Sequence, residues 1–240
     1  MSRVNTSDLR AYPSGEPVRP AGSLAINRHH GLADDAYEAI FAQLMALKIA
    51  PGSRITVDNL ARELNVSHTP IREALGRLEG EGLVMKTHLI GYSAAPQISR
   101  RRFDELYELR MLLEPEAAQR AARAMNEARL DVLRDVAGVM SRGQGDDERV
   151  RYSAFARLDA LFHDRILEFA GNELIRQTLA QQHTHFHIFR LMFHARVTEE
   201  ALNEHEALLV AFEAGDGKSA KRAMRHHIER SRDRLLLAFA

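Results

Sequence analysis

The chain has 240 residues, 45% of them hydrophobic and 28% charged, with a formal net charge of zero. That is long enough for two modest domains, each burying a core, and a neutral balance means any nucleic-acid-binding surface must be local. Cysteine is absent, which excludes disulfides and thiolate metal sites; no apolar run is long enough to span a bilayer, and no signal-peptide core opens the chain, so a cytoplasmic protein is expected.

Residues 1–30 mix Pro13, Pro17 and Pro20 with Ser, Gly and Arg without periodicity, and read as a flexible arm. From Leu32 to Ile49 the apolar positions Ala36, Ile40, Leu44 and Leu47 keep helical spacing, ended by Pro51-Gly52. A short helical pattern with Leu60, Ala61 and Leu64 then stops at Asn65-Val66-Ser67. Another follows at once with Ile71, Ala74, Leu75 and Leu78. Ser67 or Thr69 can cap it, and Pro70 suits its first turn. Two β-like pieces, Leu83–Lys86 and Tyr92–Ala95, hinge at Gly91. Helices joined by a tight turn and followed by a hairpin predict a winged helix-turn-helix over residues 31–96, whose second helix enters the DNA major groove.

After the linker PQISRRR the chain is predicted helical to its end, over about 100–124, 127–142, 148–170, 173–195, 199–214 and 217–239. Breaks are expected at Asn126, Gly143-Gln144-Gly145, Gly171-Asn172, Val197-Thr198 and Gly215-Asp216-Gly217. Pro115 should bend the first of these helices. The expected fold class is mainly α: a winged helix-turn-helix followed by an all-α helical bundle over residues 97–240.

Helix-wheel geometry places polar groups on three apolar stripes. Asp159 and His163 lie on the stripe of Phe155, Phe162 and Ile166. His205 sits among Leu202, Leu208 and Leu209, and His227 lies beside Met224, Ile228 and Leu235, with His226 turned away. A buried Asp is costly unless paired or metal-bound. Three histidines and an aspartate, all inward, point to a shared metal site, with a plain polar network as the alternative. The N/O ligand set suits a divalent ion, zinc first, with nickel, iron and manganese as alternatives. Arg110 and Glu114 share the stripe of Phe103, Leu106 and Tyr107, either as a clamp for a carboxylate effector or as an i,i+4 ion pair. Gln182, expected to face inward beside Leu179, Phe186 and Phe189, is a weaker effector-contact candidate. The alternating His183, His185 and His187 should spread around their helix and form no second metal site.

Two stretches resemble known families. APGSRITVDNLARELNVSHTPIREALGRLEGEGLV is similar to the DNA-binding domain of GntR-type bacterial repressors, with His68 where an Arg is usual and Leu89-Ile90-Gly91 at the wing tip. The resemblance implies DNA contacts from Thr69 and Arg72 above all, and from Ser67, His68, Arg54 and Gly91. Asp159 with Phe162-His163, EHxxLL at Glu204–Leu209, AGD at Ala214–Asp216 and MxxHI at Met224–Ile228 resemble the FCD effector domain of GntR regulators. That branch implies a divalent metal on Asp159, His163, His205 and His227, a homodimer, a palindromic operator and a small carboxylate effector. The expected function is a transcription regulator, a repressor by preference, and no enzyme. Two rivals stand beside it: a helical metal-dependent hydrolase using the His163-Asp164 pair, and a regulator with a purely structural metal.

Overall fold

A computed structural model describes residues 31–142, 148–191 and 195–239. The expected arm and the Gly143-Gln144-Gly145 break lie outside these residues.

The N-terminal unit opens with α1 (Leu32–Met45), whose buried face carries Ala36, Tyr37, Ile40, Phe41, Leu44 and Met45. This face packs on α3 (His68–Gly80), which turns Ile71, Ala74, Leu75 and Leu78 inward. Between them, α2 (Val57–Leu64) ends at Asn65 in the left-handed region, φ 53°, a conformation Asn tolerates through its short polar side chain. That residue makes the sharp turn into α3. Ser67 takes the N-cap position of α3 without a side-chain cap bond. Strands β2 (Val84–Thr87) and β3 (Gly91–Ala94) form the wing within a residue of the expected ends. The sequence reading missed β1 (Arg54–Ile55), which pairs antiparallel with β3 and gives the order β1-β3-β2. Two residues are too short for alternation to register.

The second unit is helical: α4 (Arg100–Arg123), α5 (Glu127–Arg142), α6 (Glu148–Phe169), α7 (Glu173–Ala180), α8 (Thr184–Phe189), α9 (Ala195–Glu213) and α10 (Gly217–Leu236), closed by a 3-10 turn at Leu237–Phe239. Side-chain caps set several starts, Ser99 on α4, Asn172 on α7 and Asp216 on α10. Pro115 lies inside α4 without ending it. Helix α10 runs against both α4 and α9. At Gly217 α10 comes close against α4, since a Cβ there would sit 2.9 Å from the Gln119 carbonyl oxygen.

Two expectations require correction. The helix predicted over 173–195 is broken at residues 181–183, where His183 is left-handed at φ 45°. No glycine or proline marks that break. Conversely, α9 runs through the break expected at Val197-Thr198, a pair with neither Gly nor Pro to stop it.

One continuous apolar cluster runs from α1 and α3 into the bundle. At the junction Phe41 meets Phe186 edge to face, ring centroids 5.2 Å apart. The Arg157 guanidinium of α6 lies 3.9 Å above the Phe41 ring and 4.9 Å from that of Tyr37, and pairs with Glu38. Among the described residues no helix is long and apolar enough to cross a membrane.

Candidate metal centre and DNA-facing surface

Asp159, His163, His205 and His227 are all buried, and one ligand atom from each lies within 4.8 Å of every other. The i,i+4 spacing of α6 supplies Asp159 and His163; α9 and α10 each contribute one histidine. His226, next in sequence to His227, is exposed.

Two glutamates fix the imidazoles. His163 Nδ1 is 2.6 Å from Glu114 Oε2, and His227 Nδ1 is 2.8 Å from Glu204 Oε2. Burial pushes the Glu114 carboxyl up, but Arg110 and His163 outweigh it and hold the group well below the usual range. Arg234 and His227 overcome burial to lower Glu204. Both glutamates are therefore ionised acceptors, so each Nδ1 is the donor and each Nε2 is the nitrogen turned into the cluster. Those two Nε2 atoms stand 3.2 Å apart. Two ring nitrogens facing each other at that distance can share a proton or together ligate a cation.

The remaining atoms point the same way. Asp159 Oδ1 and both ring nitrogens of His205 are buried without a hydrogen-bond partner. His205 stacks on Phe162, centroids 4.6 Å apart, and its Nε2 lies 3.3 Å from Asp159 Oδ1 without hydrogen-bond geometry. Burial raises the Asp159 carboxyl to about 6 and lowers His227 to about 4; it also holds His205 well below the usual imidazole range. Neutral imidazoles and a carboxylate with unspent lone pairs are a donor set fit for a divalent ion, with outer carboxylates orienting the ring ligands.

Arg110 and Glu114 are fully buried and joined, Nε to Oε1 at 2.6 Å. They form the chain Arg110–Glu114–His163 behind the cluster. Gln182 does not line the adjoining cavity: its Oε1 accepts from Arg102 at 2.5 Å, on the outer side of the bundle. The broken helix accounts for that, because a wheel drawn through residues 173–195 does not apply beyond residue 181.

The same break brings in a residue that sequence reasoning set aside. His185 packs against His163, centroids 4.6 Å apart, and its Nε2 lies 3.6 Å from Asp159 Oδ2. Burial holds it well below the usual imidazole range. HTHFH thus builds no second cluster among the described residues but adds a histidine to the edge of the first. Nothing in the spacing signalled it. Glu204 was also missed, although it stands inside the EHxxLL motif.

A cavity of about 380 Å³ adjoins the cluster, bordered by Glu114, His163 and His185 on one side and by Leu161, Leu167, Leu179 and Phe186 along its walls. Glu81, the residue capping the C-terminus of α3, and Arg157 also border it. Asp164 reaches the rim but is held by Arg176 through two 2.8 Å bonds, apart from the four-residue cluster.

On the opposite unit, Ser67, His68, Thr69 and Arg72 are exposed along the start of α3. Arg72 has no hydrogen-bond or ion-pair partner among the described residues, whereas His68 Nε2 lies 3.1 Å from Asp58 Oδ1. Arg54 braces the wing by donating to the Ile90 carbonyl at 3.3 Å. Gly91, at φ +108°, sits where side chains rarely fit, so the wing turn needs glycine there.

Residues 32–92 match the family described as bacterial regulatory proteins, gntR family, and residues 105–230 match the FCD domain. The Nta operon transcriptional regulator of Aminobacter aminovorans is 36% identical over a stretch covering 54% of this chain and 59% of that protein. The transcriptional repressor RspR of Escherichia coli is 26% identical over 80% of this chain and 84% of its own. Among solved structures, E. coli McbR/YncC superposes with a TM-score of 0.62 at 21% identity, over 88% of this chain and 99% of that one. At that identity the likeness bears on fold alone.

Proposed function

Because the chain belongs to the GntR family of bacterial transcriptional regulators and carries an FCD domain, we propose that it is a repressor whose grip on DNA is set by a small carboxylate effector bound beside a divalent metal. The observation that carries this reading is the junction of three features in one place: the Asp159/His163/His205/His227 cluster, the cavity it borders, and Glu81 at the end of α3 on the same cavity wall. Zinc is the first choice of ion for this N/O set, with nickel, iron or manganese as alternatives. When bound, it would supply positive charge and open coordination for an acid oxygen.

The chain's own residues do the rest. Glu114 and Glu204 orient the ring ligands, and Arg110 holds Glu114 ionised. Arg72 and Thr69 at the start of α3 read base edges or phosphates, while Ser67, His68, Arg54 and Gly91 set the turn and wing against the backbone. Two copies held by the bundle would present two such helices to a palindromic operator. Effector binding changes DNA affinity only by favouring one arrangement of the two units over another.

The test is a DNA-binding assay on zinc-loaded and chelator-treated protein, with and without candidate acids, beside metal content per protomer. Effector response confined to the metal-loaded form supports the reading. A fully metal-loaded protein with four protein ligands, no open position and no response to any acid would favour a purely structural metal.

A further inference from the structure

The two oxygens of Asp159 face two different histidines. Oδ1 is buried without a hydrogen-bond partner and lies 3.3 Å from Nε2 of His205, so it is the oxygen turned into the cluster. Oδ2 lies 3.6 Å from Nε2 of His185, just beyond hydrogen-bond reach, and that nitrogen too is buried without a partner. His185 is not one of the four residues whose ligand atoms all lie within 4.8 Å of one another.

Two of the ring ligands have an acid on their outer nitrogen, Glu114 on His163 and Glu204 on His227. A ligating carboxylate needs the converse, a donor on its outer oxygen, because a buried ionised oxygen without one is costly. His185 is placed to be that donor. Helix α8 starts after the left-handed His183, and the turn lays His185 on the cluster, its ring centroid 4.6 Å from that of His163. Phe186 and His187 of the same turn lie against Phe41 and Gly82 of the N-terminal unit.

We propose that His185 is a positioning residue of the metal centre: its Nε2–H donates to Asp159 Oδ2 and so holds Oδ1 toward the ion. The inference rests on the four-residue cluster holding a divalent metal. It differs from the role of a fifth ligand in what the side chain must supply, a donor at the Nε2 position rather than a lone pair. Glutamine, whose amide nitrogen reaches about as far as Nε2, can supply that donor. Asparagine, whose amide stops about where Nδ1 does, and leucine cannot. Through this bond the metal's carboxylate is tied to α8, the helix that touches α1 and the end of α3.

The experiment is a competition titration of zinc against a chromophoric chelator on the full chain, unmodified and as His185→Leu, His185→Asn and His185→Gln. Visible spectra of the cobalt-loaded proteins, whose bands report the donor set and its geometry, are recorded beside it. His185→Leu and His185→Asn should weaken zinc binding about 10- to 100-fold, and His185→Gln should recover most of that loss. The cobalt bands of His185→Gln should match those of the unmodified protein. Should His185→Leu fail to fold, His185→Asn against His185→Gln makes the same comparison. Zinc affinity unchanged in the folded Leu and Asn variants would overturn the inference while leaving the metal site standing. Gln as damaging as Asn or Leu would overturn it too: displaced cobalt bands would make His185 a direct ligand, and unmoved bands a packing residue. If the unmodified protein binds no zinc, the metal reading falls and takes this inference with it.

Discussion

His163 and His227 face each other Nε2 to Nε2 at 3.2 Å, and each is turned that way by a glutamate on its Nδ1. With each Nδ1 committed to its glutamate, the two Nε2 atoms are presented to one point, where a divalent ion can take both. Glu204→Gln should therefore weaken zinc binding about 10- to 100-fold, the usual cost of losing such an outer partner, without unfolding the bundle. A competition titration against a chromophoric chelator reads this directly, and unchanged affinity would mean that Glu204 serves Arg234 alone.

The adjacent histidines of α10 give a sharper contrast. His227 is buried in the cluster while His226 is exposed. His227→Ala should lose bound metal on dialysis against a mild chelator, and with it any effector action on DNA; His226→Ala should keep both. Equal loss in the two variants would remove the cluster as the metal site.

Arg110 separates two roles by which property fails first. With Glu114 buried beside it, Arg110→Ala leaves an uncompensated carboxylate and should cost about 3–5 kcal/mol of stability. Denaturant unfolding measures this. Near-normal stability with abolished acid binding would instead make Arg110 a direct clamp on the effector.

Arg72 is exposed on α3 and has no partner to lose among the described residues. Arg72→Ala should lower specific DNA affinity by about 1–3 kcal/mol and relax preference at one base position, leaving thermal stability unchanged. Full operator binding by the folded variant would put the base-reading contact elsewhere on α3.

Acid sensitivity follows from the α8 histidines. His187 sits against Gly82, and burial lowers it to about 4. Between its unfolded value near 6.5 and about 4, the unfolded chain binds a proton that the folded one refuses, so stability is full above 6.5 and declines as pH falls. The loss from this one group is at most about 3 kcal/mol, and smaller to the extent that solvent reaches the ring. His187→Leu should flatten the slope of unfolding free energy between pH 6.5 and 4 by up to one proton; an unaltered slope would assign the sensitivity to the deeper histidines.

Local pattern was enough for much of this protein. Helical spacing, the Asn65-Val66-Ser67 turn and Gly91 are short-range signals, and they specify α1, α3 and the wing wherever the rest of the chain lies. The inward placement of Asp159, His163, His205 and His227 was legible for the same reason: within an unbroken helix, face is a function of residue number alone. That reasoning failed where the helix did. The left-handed His183 carries no Gly or Pro signature, so neither the turn before α8 nor the arrival of His185 beside His163 could be read in advance. Only the tertiary structure decided which polar groups meet across helices: Glu114 on His163, Glu204 on His227, Gln182 with Arg102 rather than the cavity, and Glu81 on the wall shared with the metal cluster. Such pairings depend on how distant helices pack, and no periodicity within one helix records its neighbour.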